Sequence, residues 1–510
     1  MATGEATSTI ARADYIGPDA CGDCHAAQYA MWQGSLHRTM NQRAADAKVL
    51  GAAGTVTYAG GEMTFAKDAS AYVMTLARGN VTTRYRVTRT IGTHGLQEYV
   101  GTELPSGTEE VRLPFAWWPR AQGWFAQPYF DPWFAKETDF DAYAPVKEPW
   151  AERCPWCHST YPFELRIARS SAKNIGHGFE QFFTSTTAPA QADRLAVDEQ
   201  VTTGISCESC HLGGRAHRDG APIHFVPIGA ASTTDAPRPT TFKQERADAT
   251  VVNRVCAQCH SGPSPRLADG TSLRNSSEAL DLAASTCKAR CTDCHDPHAL
   301  GSDEKRANAA CVTCHDRFAS ADAGKTHASH ESATTCLDCH MPKVVMGIDH
   351  VVRTHRISSP TNATILETAG PNACNLCHLD RSITWMLDEL KRGWDVTPNR
   401  AGLAPHPKTY GDLDAPVGEV WLASKEPALR LLATDAYARG ANVGLLRIAW
   451  PLLVGRLTDE LPHLRAWAWF AVQTAAGRLG KPVAVDAFDP RAPTEQRARA
   501  IERLRTHIAP

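Results

Sequence analysis

The sequence predicts a fold that is mainly α-helical and irregular, with a small antiparallel β insert and a C-terminal α-helical domain. Three observations support this prediction. Residues 150–380 are rich in Gly, Pro, Ser and Thr and hold most of the 17 cysteines, residues 55–115 alternate between apolar and polar side chains, and residues 381–510 contain amphipathic runs but no cysteine. The chain is therefore expected to divide into residues 1–50, 51–150, 151–380 and 381–510.

Composition excludes several classes of protein. With 510 residues, of which 43% are hydrophobic and 21% charged, the chain is long enough for several domains with ordinary cores. The formal charge of −2 gives no general attraction to nucleic acid. Because the sequence has no uninterrupted apolar run of about 18 residues, no transmembrane segment is predicted.

Sixteen cysteines form eight C-x-x-C pairs, and a histidine directly follows every pair. In chain order, motifs 1 to 8 are Cys21/Cys24/His25, Cys154/Cys157/His158, Cys207/Cys210/His211, Cys256/Cys259/His260, Cys291/Cys294/His295, Cys311/Cys314/His315, Cys336/Cys339/His340 and Cys374/Cys377/His378. A random arrangement of the same composition would contain roughly 0.02 such motifs, so chance is excluded. C-x-x-C-H is the attachment pattern of haem c, in which two thiols add to the vinyl groups of one porphyrin and the histidine ligates its iron.

Zinc and disulfides are the alternative uses of paired cysteines. Zinc would take the pairs two at a time, or with histidines at wider offsets, and would not require a histidine after every second cysteine. A disulfide framework would place no constraint on the following residue. The sequence therefore predicts eight covalently attached haem c groups, and it leaves Cys287 as a free thiol.

Covalent haem attachment also indicates a compartment, because in bacteria it takes place outside the cytoplasm. Residues 1–20 contain no basic segment followed by an apolar one. We therefore expect a periplasmic or cell-surface protein whose signal or anchor is absent from the given chain. Eight ferric haems with their propionates would bring the net charge to about −10, which favours redox partner proteins with basic patches.

The region from 55 to 115 predicts the β insert. Its alternating segments are separated by two turn signals, Gly60-Gly61 and Gly79-Asn80, which indicate a small antiparallel sheet.

An aromatic cluster follows the predicted strands. It consists of Phe115, Trp117, Trp118, Trp124, Phe125, Tyr129, Phe130, Trp133 and Phe134. We interpret it as apolar cover for porphyrin faces in preference to a partner or electron-exit surface, because porphyrins need apolar packing as any core does.

The cysteine-free C-terminal region contains the pattern P-x-L-R-x-x-A twice, beginning at Pro427 and Pro462. A 35-residue repeat in amphipathic segments predicts a short HEAT-like array, while an ordinary helical bundle remains the alternative. Either arrangement could mediate homo-oligomer formation, dock a partner, or cap the haem-bearing region.

Thirteen histidines lie outside the eight motifs, and ten of them precede His378. There is therefore enough imidazole to ligate all eight irons twice. Bis-His coordination fills both axial positions, so that electrons can pass while substrates cannot bind.

Four segments resemble a known family, the multihaem cytochromes c related to the tetrahaem cytochrome c of ammonia oxidisers. They are YIGPDACGDCHAAQYAMWQGSLH (15–37), ISCESCHLGGRAH (205–217), CTDCHDPH (291–298) and CLDCHMPK (336–343). The resemblance covers about residues 15–380, and residues 151–380, which contain seven of the motifs, are expected to form a seven-haem cytochrome core. Many relatives carry a C-terminal helical-repeat domain.

The same resemblance implies several distal iron ligands. His37, His217, His298 and His355 match distal positions, and His330 matches less closely. His177, His224, His327 and His350 are supported only by spacing and proximity, and of these His177 and His350 are retained as expected metal ligands.

The function expected is electron transfer between extracytoplasmic redox partners through closely packed, mostly bis-His haems. The alternative is a multihaem oxidoreductase of the nitrite, hydroxylamine or tetrathionate type, which needs one iron with an open distal site and acid/base side chains beside it. All eight motifs end in His and none in Lys, and nothing around the 11 tyrosines identifies a haem crosslink, so no catalytic residue is assigned. A scaffold role for the C-terminal region is a third possibility.

Overall fold

The structure is a computed structural model, and its contacts divide the chain into two units. The first comprises Met1–Phe125, Ala142–Gly262 and Cys287–Ala310, and the second comprises Ala126–Asp141, Pro263–Thr286 and Cys311–Pro510. Motifs 1 to 5 fall in the first unit and motifs 6 to 8 in the second. The structure describes residues 8–51, 53–127, 141–145, 147–173, 178–187, 194–195, 197–235, 241–299, 303–330, 335–368, 370–397, 399–403, 411–440 and 442–508. The division into four parts stays a prediction.

An antiparallel sheet of seven strands forms the β insert. Its strands are β1 (Asn41–Arg43), β2 (Gly54–Tyr58), β3 (Gly61–Asp68), β4 (Ala71–Arg78), β5 (Val81–Ile91), β6 (Glu98–Glu103) and β7 (Val111–Arg112). Strands β2 to β7 follow one another in order across the sheet, and β1 pairs with β5. Alternating burial along β3 sets the register. Gly61, Met63 and Phe65 are buried, whereas Glu62 is exposed. Gly60 (φ 75°) and Gly79 (φ 59°) occupy the predicted turns, where a positive φ favours glycine.

The described members of the aromatic cluster pack on this sheet. The ring of Trp124 lies 4.6 Å from that of Phe65 and 5.2 Å from that of Tyr99, and Trp118 packs edge-on against Phe125. These side chains cover the sheet, and their interpretation as cover for porphyrin faces stays a prediction. The other four aromatic residues, Tyr129, Phe130, Trp133 and Phe134, lie outside the described residues.

The remaining strands are short and the helices are mostly short. The strands are β8 (Phe115–Trp118), β9 (Gly123–Ala126), β10 (Ser159–Thr160), β11 (Phe183–Thr184), β12 (Thr202–Thr203), β13 (Ala231–Ser232), β14 (Lys343–Met346) and β15 (Val351–Arg353). Helices up to motif 5 are α1 (Pro18–Gly22), α2 (Ala26–Gln33), α3 (Leu36–Thr39), α4 (Trp150–Arg153), α5 (Pro155–His158), α6 (Phe163–Lys173), α7 (Arg215–Arg218), α8 (Phe242–Ala247), α9 (Ala249–Ala257), α10 (Glu278–Ala283) and α11 (Cys291–Cys294). In the first unit, Phe163 and Ile167 of α6 pack with Val251 and Val255 of α9 in one apolar cluster.

The C-terminal part of the second unit is helical, as predicted. The helices from motif 6 onward are α12 (Glu304–Cys314), α13 (Ala321–Ala328), α14 (Cys336–His340), α15 (Ala363–Glu367), α16 (Ala373–Cys377), α17 (Ile383–Trp394), α18 (Val417–Leu422), α19 (Pro427–Gly440), α20 (Val443–Gly455), α21 (Pro462–Arg478) and α22 (Thr494–Arg505). No helix in the described ranges is both long enough and apolar enough to cross a bilayer.

The 35-residue sequence repeat corresponds to a structural repeat. Helices α19 and α21 each begin at the proline of the pattern. The guanidinium of Arg430 donates to the carbonyls of Ser424 and Lys425, and that of Arg465 donates to the equivalent carbonyls of Asp459 and Glu460. Each arginine thus fixes the loop that leads into its own helix, while the HEAT-like architecture stays a prediction.

Candidate haem-binding sites

Each motif forms about one turn of helix. In six motifs the amide of the histidine donates to the carbonyl of the first cysteine at 2.8–3.0 Å, and in motifs 2 and 7 the histidine lies at the end of a short helix. Such a turn places residues i, i+3 and i+4 on one face, so both thiols and the imidazole face the same side. All 17 cysteines lie among the described residues, and no two of them form a disulfide.

The predicted attachment cysteines differ in exposure. Cys24, Cys314 and Cys377, the second cysteines of motifs 1, 6 and 8, are exposed, whereas the other motif cysteines are partly buried. The polypeptide alone therefore does not enclose every predicted haem-binding residue. Motifs 1 and 6 share one pattern: the second cysteine and the histidine are exposed (Cys24 and His25, Cys314 and His315), while the first cysteine is partly buried (Cys21, Cys311). An exposed thiol is accessible to the vinyl group that it must attack, so this exposure is compatible with attachment, and the haem-binding role of Cys24 stays a prediction.

Five motif histidines each lie opposite a histidine from outside the motifs. The ring centroids are 6.1 Å apart in His25–His217, 6.5 Å in His37–His260, 6.5 Å in His211–His298, 6.1 Å in His327–His340 and 6.2 Å in His330–His378. The first three pairs lie in the first unit and the last two in the second. Every pair joins one proximal candidate to one distal candidate.

These separations fit an iron between the two rings. A metal–imidazole bond of about 2.0 Å, with the bonding nitrogen about 1.1 Å from its ring centroid, places the centroids of two axial imidazoles about 6.2 Å apart. Within the described ranges, no three or more His, Cys, Asp or Glu side chains converge as a protein-only metal site requires. A porphyrin supplies four nitrogen ligands and leaves two axial positions on its iron. Two facing imidazoles therefore fit haem.

Hydrogen bonds orient several of the paired imidazoles. The Nδ1 atoms of His217, His330 and His340 lie 2.9, 2.6 and 2.9 Å from backbone carbonyl oxygens. Nδ1 of His298 lies 3.3 Å from a carboxylate oxygen of Asp296, and Nδ1 of His37 lies 3.4 Å from the Pro297 carbonyl. When Nδ1 donates its proton to such an oxygen, Nε2 keeps a free lone pair for a metal.

Burial keeps several of the paired histidines neutral. Desolvation, together with the neighbouring His298, lowers the pKa of His211 to about 4. The pKa values of His37, His327 and His378 are also lowered, first by burial and then by the opposing imidazole. Only a neutral imidazole can bind iron, so the ligating form of these four side chains is the one present at neutral pH.

The other predicted ligands have different surroundings. The indole of Trp150 lies edge-on to the partly buried ring of His158 at 5.9 Å. The side chain of His350 is 60% exposed, and its Nδ1 lies 2.6 Å from Asp349. The carbonyl of His355 accepts a hydrogen bond from Ser285, and His177 lies outside the described residues. The proximal roles of His158, His295 and His315 stay predictions. The distal roles of His177, His350 and His355 also stay predictions.

His327 is absent from the ligands expected from the sequence, although the structure places it opposite His340. The ring of Phe318 stacks on His327 at 4.2 Å and so holds its orientation. The sequence offered one signal, the position of His327 shortly before motif 7, and the same signal applies to histidines that the structure does not pair.

Neighbouring motifs of the first unit contact one another. The thiols of Cys21 and Cys207 are close enough for each to shift the pKa of the other, raising that of Cys21 and lowering that of Cys207, which joins motifs 1 and 3. Two equivalent contacts occur in the same unit: Cys157 with Cys259 joins motifs 2 and 4, and Cys256 with Cys291 joins motifs 4 and 5. Porphyrins attached to these cysteines would lie close together.

The candidate distal ligands reinforce this connection. His217 follows motif 3 but faces His25 of motif 1, and His298 follows motif 5 but faces His211 of motif 3. Glu208 of motif 3 is buried and accepts hydrogen bonds from the amides of Ile16 and Gly17, just before motif 1, at 3.0 and 2.7 Å. A histidine that follows one motif thus lies opposite the histidine of another motif.

In the second unit, a shallow, open cleft adjoins motif 7. It is lined by Cys339 and His340, by Arg356 and Ser359, and by Asn372 at the start of the motif 8 helix. The cleft therefore borders the second cysteine and the histidine of a predicted haem-binding motif.

Residues 323–396 match the family model of cytochrome c552. This segment contains motifs 7 and 8 and the pairs His327–His340 and His330–His378. The match supports a c-type cytochrome with covalently bound haem. No curated protein matches the chain.

Two solved structures are similar to the chain. Outer cell wall cytochrome OcwA has 13% identity and a TM-score of 0.37, with 97% of this chain and 100% of that chain covered. The octahaem sulfite reductase MccA (form II) of Wolinella succinogenes has 15% identity and a TM-score of 0.30, with 70% and 60% covered. Both TM-scores are too low to establish a common fold.

Proposed function

We propose that this chain is an octahaem c-type cytochrome that carries electrons between extracytoplasmic redox partners. The observation that supports it most directly is the set of five histidine pairs at 6.1–6.5 Å. Two imidazoles fill both axial positions of an iron, which leaves electron transfer as the chemistry available to it.

The proposed ligand set is one motif per haem, with the motif histidine proximal. The distal ligands of motifs 1, 3, 4, 7 and 8 are His217, His298, His37, His327 and His330. His177, His350 and His355 remain candidates for motifs 2, 5 and 6.

The contacts among motifs support a connected path. In the first unit they link motif 1 to motif 3, motif 2 to motif 4, and motif 4 to motif 5. Cys210 of motif 3 also lies close enough to Cys256 of motif 4 to interact electrostatically with it. Five haems would then form one branched network in this unit.

A multihaem oxidoreductase is the second candidate, and one observation favours it. Among the described side chains, the aromatic ring beside His158 belongs to Trp150 and is not an imidazole. A five-coordinate iron at motif 2 would bind a small substrate such as nitrite or hydroxylamine.

Electron paramagnetic resonance of the oxidised, natively matured protein tests the proposal. The carrier predicts low-spin ferric signals that account for at least the five paired sites and do not change when nitrite, hydroxylamine or cyanide is added. A high-spin ferric signal that shifts with one of these ligands would support the oxidoreductase instead.

A further inference from the structure

A buried ion pair lies between motifs 2 and 4 of the first unit. Nε of Arg166 and Oε1 of Glu180 are 3.1 Å apart, and the two side chains are 3% and 0% exposed. Arg166 belongs to α6, and Glu180 follows that helix. Neither residue belongs to a C-x-x-C-H motif.

The guanidinium of Arg166 contacts both motifs directly. Its Nη2 donates to the carbonyl of Gln258 at 3.4 Å and lies 3.7 Å from Sγ of Cys259, both in motif 4. Its Cζ lies 4.9 Å from the ring centroid of Trp156 in motif 2, and the indole of Trp156 donates to the same Gln258 carbonyl at 3.0 Å. One cation therefore lies against the residues that precede the second cysteine of each motif.

Stability alone gives a weak reason for this arrangement. Removing two charges from water costs several kcal/mol per ion, and well-packed apolar side chains of similar volume often stabilise a core as well or better. The two charges of the pair also lie at different distances from motif 4. Arg166 contacts the Cys259 sulfur directly, whereas Glu180 binds the Nε atom of Arg166. The positive end of the pair thus faces the thioether side of motif 4 and the indole of motif 2.

We propose that Arg166 raises the reduction potentials of the haems attached at motifs 2 and 4, and that Glu180 partly offsets this effect. The inference rests on the proposed function, because it requires haem at both motifs. Reduction of a ferric haem adds one electron, and a buried cation close to the porphyrin edge stabilises the added negative charge. Arg166 is thus a positioning residue that also sets charge, and it does not ligate iron.

Redox titration of the matured full chain separates this role from a structural one. The variants are Arg166→Gln, Glu180→Gln and Arg166→Lys, with Arg505→Gln as a control because Arg505 forms an exposed ion pair with Glu502. We expect R166Q to make two of the midpoint potentials more negative and E180Q to make the same two more positive. R166K, which keeps the cation, should move them less than R166Q, and R505Q should move none.

Unchanged potentials in R166Q and E180Q at full haem content would overturn the inference, as would shifts of the same sign in both. If R166Q does not fold, E180Q decides alone, because it keeps the cation: a positive shift supports the inference and no shift overturns it. A wild-type protein without haem at motif 2 or 4 would instead contradict the proposed function, and the haem content of each sample distinguishes the two failures.

Discussion

The rings of His211 and His298 are nearly parallel, with an interplanar angle of 8° and centroids 6.5 Å apart. The rings of His37 and His260 have the same separation but lie at 81° to each other. Since the angle between axial imidazole planes governs the electronic anisotropy of a low-spin ferric haem, the two pairs should differ spectroscopically although their ligands are identical.

The site of His37 and His260 should give a highly anisotropic low-spin signal, whereas the nearly parallel pairs should give rhombic low-spin signals. Low-temperature electron paramagnetic resonance of wild type and His37→Ala checks this, because the substitution should remove the anisotropic signal and leave the rhombic ones. If the highly anisotropic signal persisted in H37A, His37 would not be a ligand of this iron.

His327→Ala should convert the haem of motif 7 to a five-coordinate, high-spin site. The substitution removes the ring that lies 6.1 Å from His340 and leaves a space above the iron. We expect a new high-spin ferric signal and binding of cyanide by one haem per chain. His507→Ala is the control, because the Nε2 of His507 is engaged with the Lys481 carbonyl; the idea fails if both variants behave as wild type.

Glu208→Ala should destabilise the connection between motifs 1 and 3. It removes a buried carboxylate that accepts hydrogen bonds from the amides of Ile16, Gly17 and Gly214. Leaving such donors unsatisfied costs about 2 to 4 kcal/mol of unfolding free energy. Thermal unfolding and limited proteolysis should show the loss, while Glu62→Ala, at an exposed position of strand β3, should change little. Equal stability of E208A and E62A would contradict the account.

His463 should make the second unit sensitive to acid. This side chain is 0% exposed, and burial followed by repulsion from Arg465 and Arg430 lowers its pKa to about 3. As the pH falls below 6.5, the unfolded chain binds a proton at His463 that the folded chain does not bind, so stability decreases. From pH 7 to pH 4 this group should remove about 3 kcal/mol of unfolding free energy.

His463→Leu tests this dependence, because it replaces the imidazole with an apolar side chain that cannot titrate. Denaturant unfolding at several pH values should show the variant gaining stability relative to wild type as the pH falls. Parallel pH profiles for the two proteins would exclude His463 as the source.

Local patterns predicted the features that depend on local constraints. The C-x-x-C-H motifs identified candidate haem sites because thioether attachment fixes three residues within one turn of chain. Gly60 and Gly79 marked the turns of the sheet for an equally local reason, the positive φ that each turn requires. Pro427 and Pro462 marked the beginnings of two helices, although the loop-fixing role of Arg430 required coordinates.

Pairing between distant segments could not be derived from spacing. His37 follows motif 1 but lies opposite His260 of motif 4, which no interval in the sequence specifies. His327 and His350 had the same kind of sequence support, yet the structure pairs the first with His340 and leaves the second largely exposed. The contacts of Arg166 with motifs 2 and 4 could not be predicted from the sequence for the same reason, because they form only on folding.

Mass spectrometry of the natively matured chain tests the central claim most directly. The account predicts an intact mass equal to the polypeptide plus eight haems, and proteolytic peptides in which each of the eight C-x-x-C-H motifs carries one. A chain without added porphyrin, or motifs that remain free dithiols after native maturation, would contradict it.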